Sequence, residues 1–139
     1  MTIDELKTCL DNFREYKQCY VWMMESYNYR LQQISEYDYA IVGIERDFIS
    51  QSIRKETDKL KTRTETVEAW SELIQDDLHR QIFRDRYINN LNWEYIADKY
   101  CYTVRSLYRI VNNDLSEIVS RTLFDLNVTC SCELLSSVQ

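Results

Sequence analysis

Apolar side chains recur along most of this chain at alternating intervals of three and four, the spacing that gathers them on one face of an α-helix. The longest run is Ile3, Leu6, Leu10, Phe13, Lys17, Tyr20, Met24, Tyr27, Leu31 and Ile34, a heptad-like stripe with one polar position, Lys17. It predicts a helix over residues 3–36, roughly 50 Å long at 1.5 Å per residue. Tyr16, Trp22 and Tyr29 widen its apolar surface beyond a two-position seam. Two packings satisfy such a stripe. It can lie against the rest of its own chain, as in a helical hairpin, or against a second copy in a coiled-coil homodimer whose register Lys17 helps to fix.

The pattern then weakens. Gly43, the single glycine, is the best candidate for a break, although carrying a helix through it costs only about 1 kcal/mol. Residues 44–65 hold Ile44, Phe48, Ile49, Ile53 and Leu60 among many charges, and read as a solvated helix or a connector. Lys55, Lys59, Lys61 and Arg63 alternate with Glu56, Asp58 and Glu65, which describes a mixed solvated face rather than a basic patch. Periodicity returns with Val67, Trp70, Ile74 and Leu78, for which Thr66 is the expected cap. It continues through Ile82, Phe83 and Tyr87 to a turn at Asn89-Asn90.

Two short amphipathic runs follow. Trp93, Ile96, Ala97 and Tyr100 share one helical face, and Val104, Leu107, Val111, Leu115 and Ile118 share another. Only Cys101, Tyr102 and Thr103 separate them, with Thr103 placed to cap the second helix; this is the spacing of a helix-turn-helix. Opposite the second stripe lie Arg105, Arg109, Asn112 and Ser116, flanked by Tyr108 and Asn113. Arginine matches guanine O6 and N7 and asparagine matches adenine N6 and N7, so this face carries residue types that read base edges. After Ile118 the helix can continue to about residue 126, and residues 127–139 have no clear period and read as a tail.

Composition narrows the picture. In 139 residues there are no prolines and one glycine, too little turn material for a β architecture, so an all-α fold is expected. No run is long and apolar enough for a membrane span, and the start of the chain has no basic leader, so a cytoplasmic protein without membrane contact is expected. The five cysteines, Cys9, Cys19, Cys101, Cys130 and Cys132, are irregularly spaced and accompany a single histidine, His79. Reduced thiols are expected rather than a metal site; Cys130 and Cys132 form the nearest approach to one. The net charge of −6 is unevenly spread: residues 1–76 carry −5, residues 77–115 carry +1 and residues 116–139 carry −2. The DNA-reading candidate is therefore nearly neutral, and its binding should be modest and salt-sensitive unless a dimer doubles the phosphate contacts.

The helix-turn-helix candidate resembles sigma factor region 4. The likeness rests on Glu94, Ile96 followed by Ala97, Tyr100, the turn ending in Thr103, then Arg105 and Ile110. The wider stretch FRDRYINNLNWEYIADKYCYTVRSLYRI, residues 83–110, is closer still to phage late-transcription regulators of the ArpU/RinA type. These share an arginine–tyrosine pair, a short turn, a tryptophan–glutamate start and a tyrosine–arginine in the second helix. Here they are Arg86 and Tyr87, Asn89 and Asn90, Trp93 and Glu94, and Tyr108 and Arg109.

The resemblance implies a four-helix array over residues 66–118, double-stranded DNA and RNA polymerase as partners, and activation of phage or prophage late genes. The expected organisation is a helical arm for oligomerisation (residues 1–65), a DNA-binding domain (66–126) and a tail (127–139). Arg105, Arg109 and Asn112 are the expected base readers. Thr103 lies at the start of the reading helix, and Lys99, Ser106 and Tyr108 are expected on phosphates or the groove wall. Arg80, Arg84 and Arg86 either pair with Asp76, Asp77 and Asp85, or Arg80 and Arg84 reach the DNA backbone beside the reading helix. No catalytic constellation is visible: His79 stands alone and a phosphate loop needs more glycine, so neither an enzyme nor a cofactor is expected. The rival readings are a sigma-like factor or antagonist that works by binding RNA polymerase, and a small phage packaging subunit, in which the helix-turn-helix usually comes first.

Overall fold

The computed structural model describes residues 1–34 and 40–122, and among them every regular element is helical. The helices are α1 (Ile3–Ile34), α2 (Ala40–Glu72), α3 (Asp77–Tyr87), α4 (Trp93–Tyr100) and α5 (Val104–Thr122). The chain is all-α, as its lack of turn residues predicts, and no described helix is long and apolar enough to cross a membrane. The tail, with Cys130 and Cys132, lies outside the described residues.

Local chemistry accounts for most helix ends. At the start of α1, Glu5 N–H donates to Thr2 Oγ1 at 3.2 Å while Thr2 N–H donates to a Glu5 carboxylate oxygen at 3.1 Å, a reciprocal capping box. Two sequence expectations for α2 require correction. Gly43 does not interrupt it: the helix begins at Ala40 and passes through Gly43. The interval between α1 and α2, residues 35–39, lies outside the described residues. Thr66 does not begin a new helix; it sits inside α2, buried. Nothing between Ile44 and Thr66 breaks a helix, so propagation continues through the charged stretch. Thr57 and Thr62 are accommodated by returning their hydroxyls to carbonyls four residues earlier, at 2.8 and 3.0 Å. The end comes at Glu72, and Asp76 caps α3 by accepting from His79 N–H at 3.1 Å.

The helices divide into two compact units, one made of Met1–Arg14 with the chain from Arg63 onward, the other of Glu15–Thr62. In the first unit, Leu6, Leu10 and Phe13 of α1 are as fully buried as Trp70 and Ile74, Ile82 and Phe83, Ile96, and Leu107, Leu115 and Ile118. Residues 1–14, expected to belong with the arm, are thus part of the core around α3, α4 and α5. Each such side chain contributes about 1.5–3 kcal/mol by leaving water.

In the second unit α1 and α2 run antiparallel. Tyr16 donates its hydroxyl to Glu56 Oε2 at 2.7 Å, the hydroxyls of Tyr20 and Thr57 meet at 3.0 Å, and Arg30 pairs with Glu45 at 2.6 Å. Ile34 and Ile49 are buried here, whereas Tyr20, Met24, Tyr27 and Leu31 of the heptad stripe are only half-buried. Val21, Trp22, Tyr29, Ile44 and Phe48 are each more than half exposed.

Candidate nucleic-acid interface

α4 and α5 are set by two caps and one left-handed residue. Asn92 caps α4 by accepting from Tyr95 N–H at 2.8 Å. After eight residues Cys101 takes φ 59° and ψ 39°, a left-handed conformation that stops α4 and turns the chain. Tyr102 N–H returns to the carbonyl of Ala97 at 2.9 Å. Thr103 then starts α5: its Oγ1 accepts from Ser106 N–H at 3.1 Å and lies 2.9 Å from Ser106 Oγ. Thr103 is the cap the sequence predicts, and its hydroxyl, like that of Ser106, is engaged in holding the turn.

α5 separates its residues cleanly. Leu107, Val111, Asp114, Leu115, Ile118 and Thr122 are buried, and Arg105, Tyr108, Arg109, Asn112, Asn113 and Ser116 are exposed. The base-reading candidates Arg105, Arg109 and Asn112 therefore share an outward face with Tyr108. Tyr108 is held from behind: its ring meets Trp93 edge-on at 5.2 Å, and the Arg86 guanidinium sits 4.4 Å from the Trp93 ring. Trp93 is thus half-buried as a support for the outward face, not a core side chain on the level of Trp70 or Phe83.

The other candidates are engaged inside the unit. Asp85, buried at the end of α3, accepts from Tyr100 Oη at 2.6 Å, Lys99 Nζ at 2.9 Å and Asn89 Nδ2 at 3.0 Å. Burial alone would raise its pKa; the three donors outweigh that and hold the carboxyl below the usual aspartate range. The bond to Asp85 likewise raises the Lys99 ammonium, so Lys99 anchors α4 to α3. Arg80 donates to the Ile74 carbonyl at 2.7 Å and pairs with Asp77 at 3.0 Å. Arg84 reaches Ser71 Oγ at 3.3 Å and Glu68 at 3.8 Å. Of the acidic partners proposed from sequence, Asp77 takes Arg80, while Asp85 takes Lys99 instead of an arginine.

His79 Nδ1 lies 3.0 Å from Asp114 Oδ1, tying the first turn of α3 to the middle of α5. Burial raises the Asp114 carboxyl above its usual range, against the opposing bond from His79.

Beside the exposed face of α5 is a cleft of about 340 Å³ whose walls include Lys7 and Asp11 of α1, Arg86, Trp93, Tyr108 and Asn112. Tyr87 also lines it; burial, reinforced by the negative charge of Asp11, pushes its hydroxyl up to about 12, so it stays protonated at neutral pH. Nothing in the sequence links Lys7 or Asp11 to this face, because periodicity within a helix carries no information about pairings some hundred residues apart. No group of three or more His, Cys, Asp or Glu side chains suited to a metal ion occurs among the described residues. No family model matches the chain, and neither a curated protein nor a solved structure gives a significant match.

Proposed function

We propose that this chain is a sequence-specific DNA-binding transcription regulator of phage or prophage genes, an activator working in the cytoplasm. In this reading α4, residues 101–103 and α5 form the helix-turn-helix of a sigma region 4-like bundle, and α5 enters the major groove. The observation that carries it is the division of α5, with an apolar face buried in its unit and Arg105, Tyr108, Arg109 and Asn112 exposed together. Arg105 and Arg109 read guanine and Asn112 reads adenine, while Tyr108 lies against the groove wall. Lys99, Arg80 and Arg84 serve the reading indirectly, since their charges are already paired within the unit. A homodimer through α1 compensates for the near-neutral charge of residues 77–115 by doubling the phosphate contacts.

Selection of bound fragments from the source genome, followed by gel shift of an Arg105→Ala, Arg109→Ala double variant, tests this. Each bidentate contact is worth about 1–3 kcal/mol, so the double variant should lose at least roughly thirtyfold in specific affinity while keeping its thermal melt. Unchanged affinity in a folded variant would remove α5 as the reading helix. A second reading, binding to RNA polymerase as a sigma-like factor or antagonist, is favoured by the exposed Trp22, Tyr29, Ile44 and Phe48. Trp22 and Tyr29, seven residues apart on α1, share one helical face, as do Ile44 and Phe48, four apart on α2, and contiguous apolar surface of this kind marks protein-contact sites. Failure to enrich any DNA fragment, together with capture of purified polymerase, would favour that reading.

A further inference from the structure

The cleft beside α5 contains chemistry that base reading does not use. Lys7 and Arg86 bring two cations into its walls and Asp11 one carboxylate. Among the described residues no Asp or Glu lies within ion-pair distance of Lys7 or Arg86. Arg86 donates Nη1 to the Leu91 carbonyl at 3.4 Å, but its Nε is buried without a hydrogen-bond partner. Burial, and next the like charge of Arg14, work against its charged form. A partly buried guanidinium without an ion-pair partner, near two other cations and facing one carboxylate beyond ion-pair distance, gains from an added anion through its charge; its sealed Nε adds to the cost of burial and is not itself reached from solvent.

Location identifies the anion. Tyr108 and Asn112 belong both to the cleft and to the exposed face of α5. A helix seated in a major groove about 12 Å wide has a phosphate strand along each flank. We propose that this cleft receives a backbone phosphate of the duplex that α5 reads, with Lys7 and Arg86 as its partners; the inference rests on the DNA reading above. The first turns of α1 thereby belong to the DNA-contacting surface as well as to the core. Lys7 and Arg86 fix the position of α5 along the groove without selecting bases, and Asp11 weakens the phosphate contact by its like charge.

The test is fluorescence anisotropy of the full chain on its selected duplex and on an unrelated duplex, across a salt series. Lys7 is the clean position, since Arg86 also supports Trp93. Lys7→Ala should lower the slope of log affinity against log salt by about 0.9, and weaken binding about fivefold near 0.15 M salt, for each protomer bound, equally on both duplexes. Asp11→Asn should strengthen binding on both. Unchanged slope and affinity in Lys7→Ala, with specific binding lost in the Arg105→Ala, Arg109→Ala variant, would overturn the cleft as a phosphate site and leave α5 as the reader. A Lys7→Ala defect combined with full specific binding by the double variant would keep the phosphate contact and overturn the reading by α5. Inorganic phosphate supplies the remaining arm. Thermal stabilisation of the wild type by it, absent in Lys7→Ala, with DNA binding unaltered by that variant, would show a free-anion site and overturn the DNA assignment.

Discussion

The two units of this chain are built from similar helices and reach opposite outcomes. In the unit around α3, α4 and α5, Trp70, Phe13, Phe83, Leu6 and Leu115 are fully buried. Among the described residues of 15–62 the buried apolar side chains are Tyr16, Ile34 and Ile49, and Trp22, Tyr29, Ile44 and Phe48 stand in solvent. Apolar supply does not distinguish them; the number of converging elements does. Two antiparallel helices can cover only the stripe each turns to the other, so any apolar residue off that stripe stays outside. In the other unit all five helices contribute fully buried side chains to one core, and a ring as large as Trp70 is wholly covered.

The largest effect is expected from removing Met1–Arg14, the start of α1 that belongs to the first unit. A chain starting at Glu15 loses Leu6, Leu10 and Phe13, roughly 5–9 kcal/mol of burial, comparable with the whole stability of an ordinary domain. Circular dichroism melting and hydrogen exchange should show α3, α4 and α5 no longer folding cooperatively. A preserved cooperative melt would mean that residues 1–14 are an appendage. Next in size is a matched pair of substitutions. Trp70→Ala should cost about 3–5 kcal/mol in urea unfolding. Trp22→Ala, at 65% exposure, should stay within about 0.5 kcal/mol at protein concentrations where the chain is monomeric. Equal costs would show that Trp22 is covered in solution, and light scattering on both proteins would reveal whether a second copy covers it.

An effect smaller than that of Trp70→Ala concerns charge. Asp85→Asn removes a buried negative charge and replaces one of the two oxygens that accept from Lys99, Tyr100 and Asn89 by an NH2 donor, and should cost about 1–3 kcal/mol near neutral pH. Because the folded pKa of Asp85 is depressed, its contribution is present above the usual aspartate range. It is lost as pH falls through the unfolded value and then the folded one. The stability gap between wild type and variant should therefore narrow below about pH 4, where unfolded aspartate begins to protonate. A gap independent of pH would assign Asp85 a packing role. The exposed Arg30–Glu45 pair of the hairpin has no comparable burial and is screened by water and salt, so Glu45→Gln should leave the same titration unchanged.

Sequence periodicity located the apolar faces of α3, α4 and α5 well, because Ile82, Phe83, Leu107, Val111 and Leu115 lie on stripes that only a helix produces. Capping chemistry was equally readable at Thr103, where a side-chain oxygen serves the nearest orphan N–H groups. The same rule misplaced a helix start at Thr66, since threonine inside a helix can satisfy its hydroxyl on a carbonyl and needs no terminus. Charged residues were the least legible. Lys99 reads as a phosphate contact until Asp85 is seen 2.9 Å away, fourteen residues earlier in the chain. Lys7 was silent for the converse reason: nothing in α1 announces that its first turns border α5. Arg105, Arg109 and Asn112 could be placed because they share an element with the stripe that buries their opposite face.

The division of α1 between two cores bears on how the chain is made. Leu6, Leu10 and Phe13 leave the ribosome long before Leu107 and Leu115, with which they complete one core. At about 5–20 residues per second, the hundred-odd intervening residues take roughly 5–20 seconds to synthesise. Throughout that interval the first three turns of α1 present apolar side chains whose native cover is incomplete. The nascent chain thus has a built-in waiting period, in which chaperone capture or pairing with a neighbouring nascent copy competes with folding, and α5, the last described helix to emerge, brings it to an end.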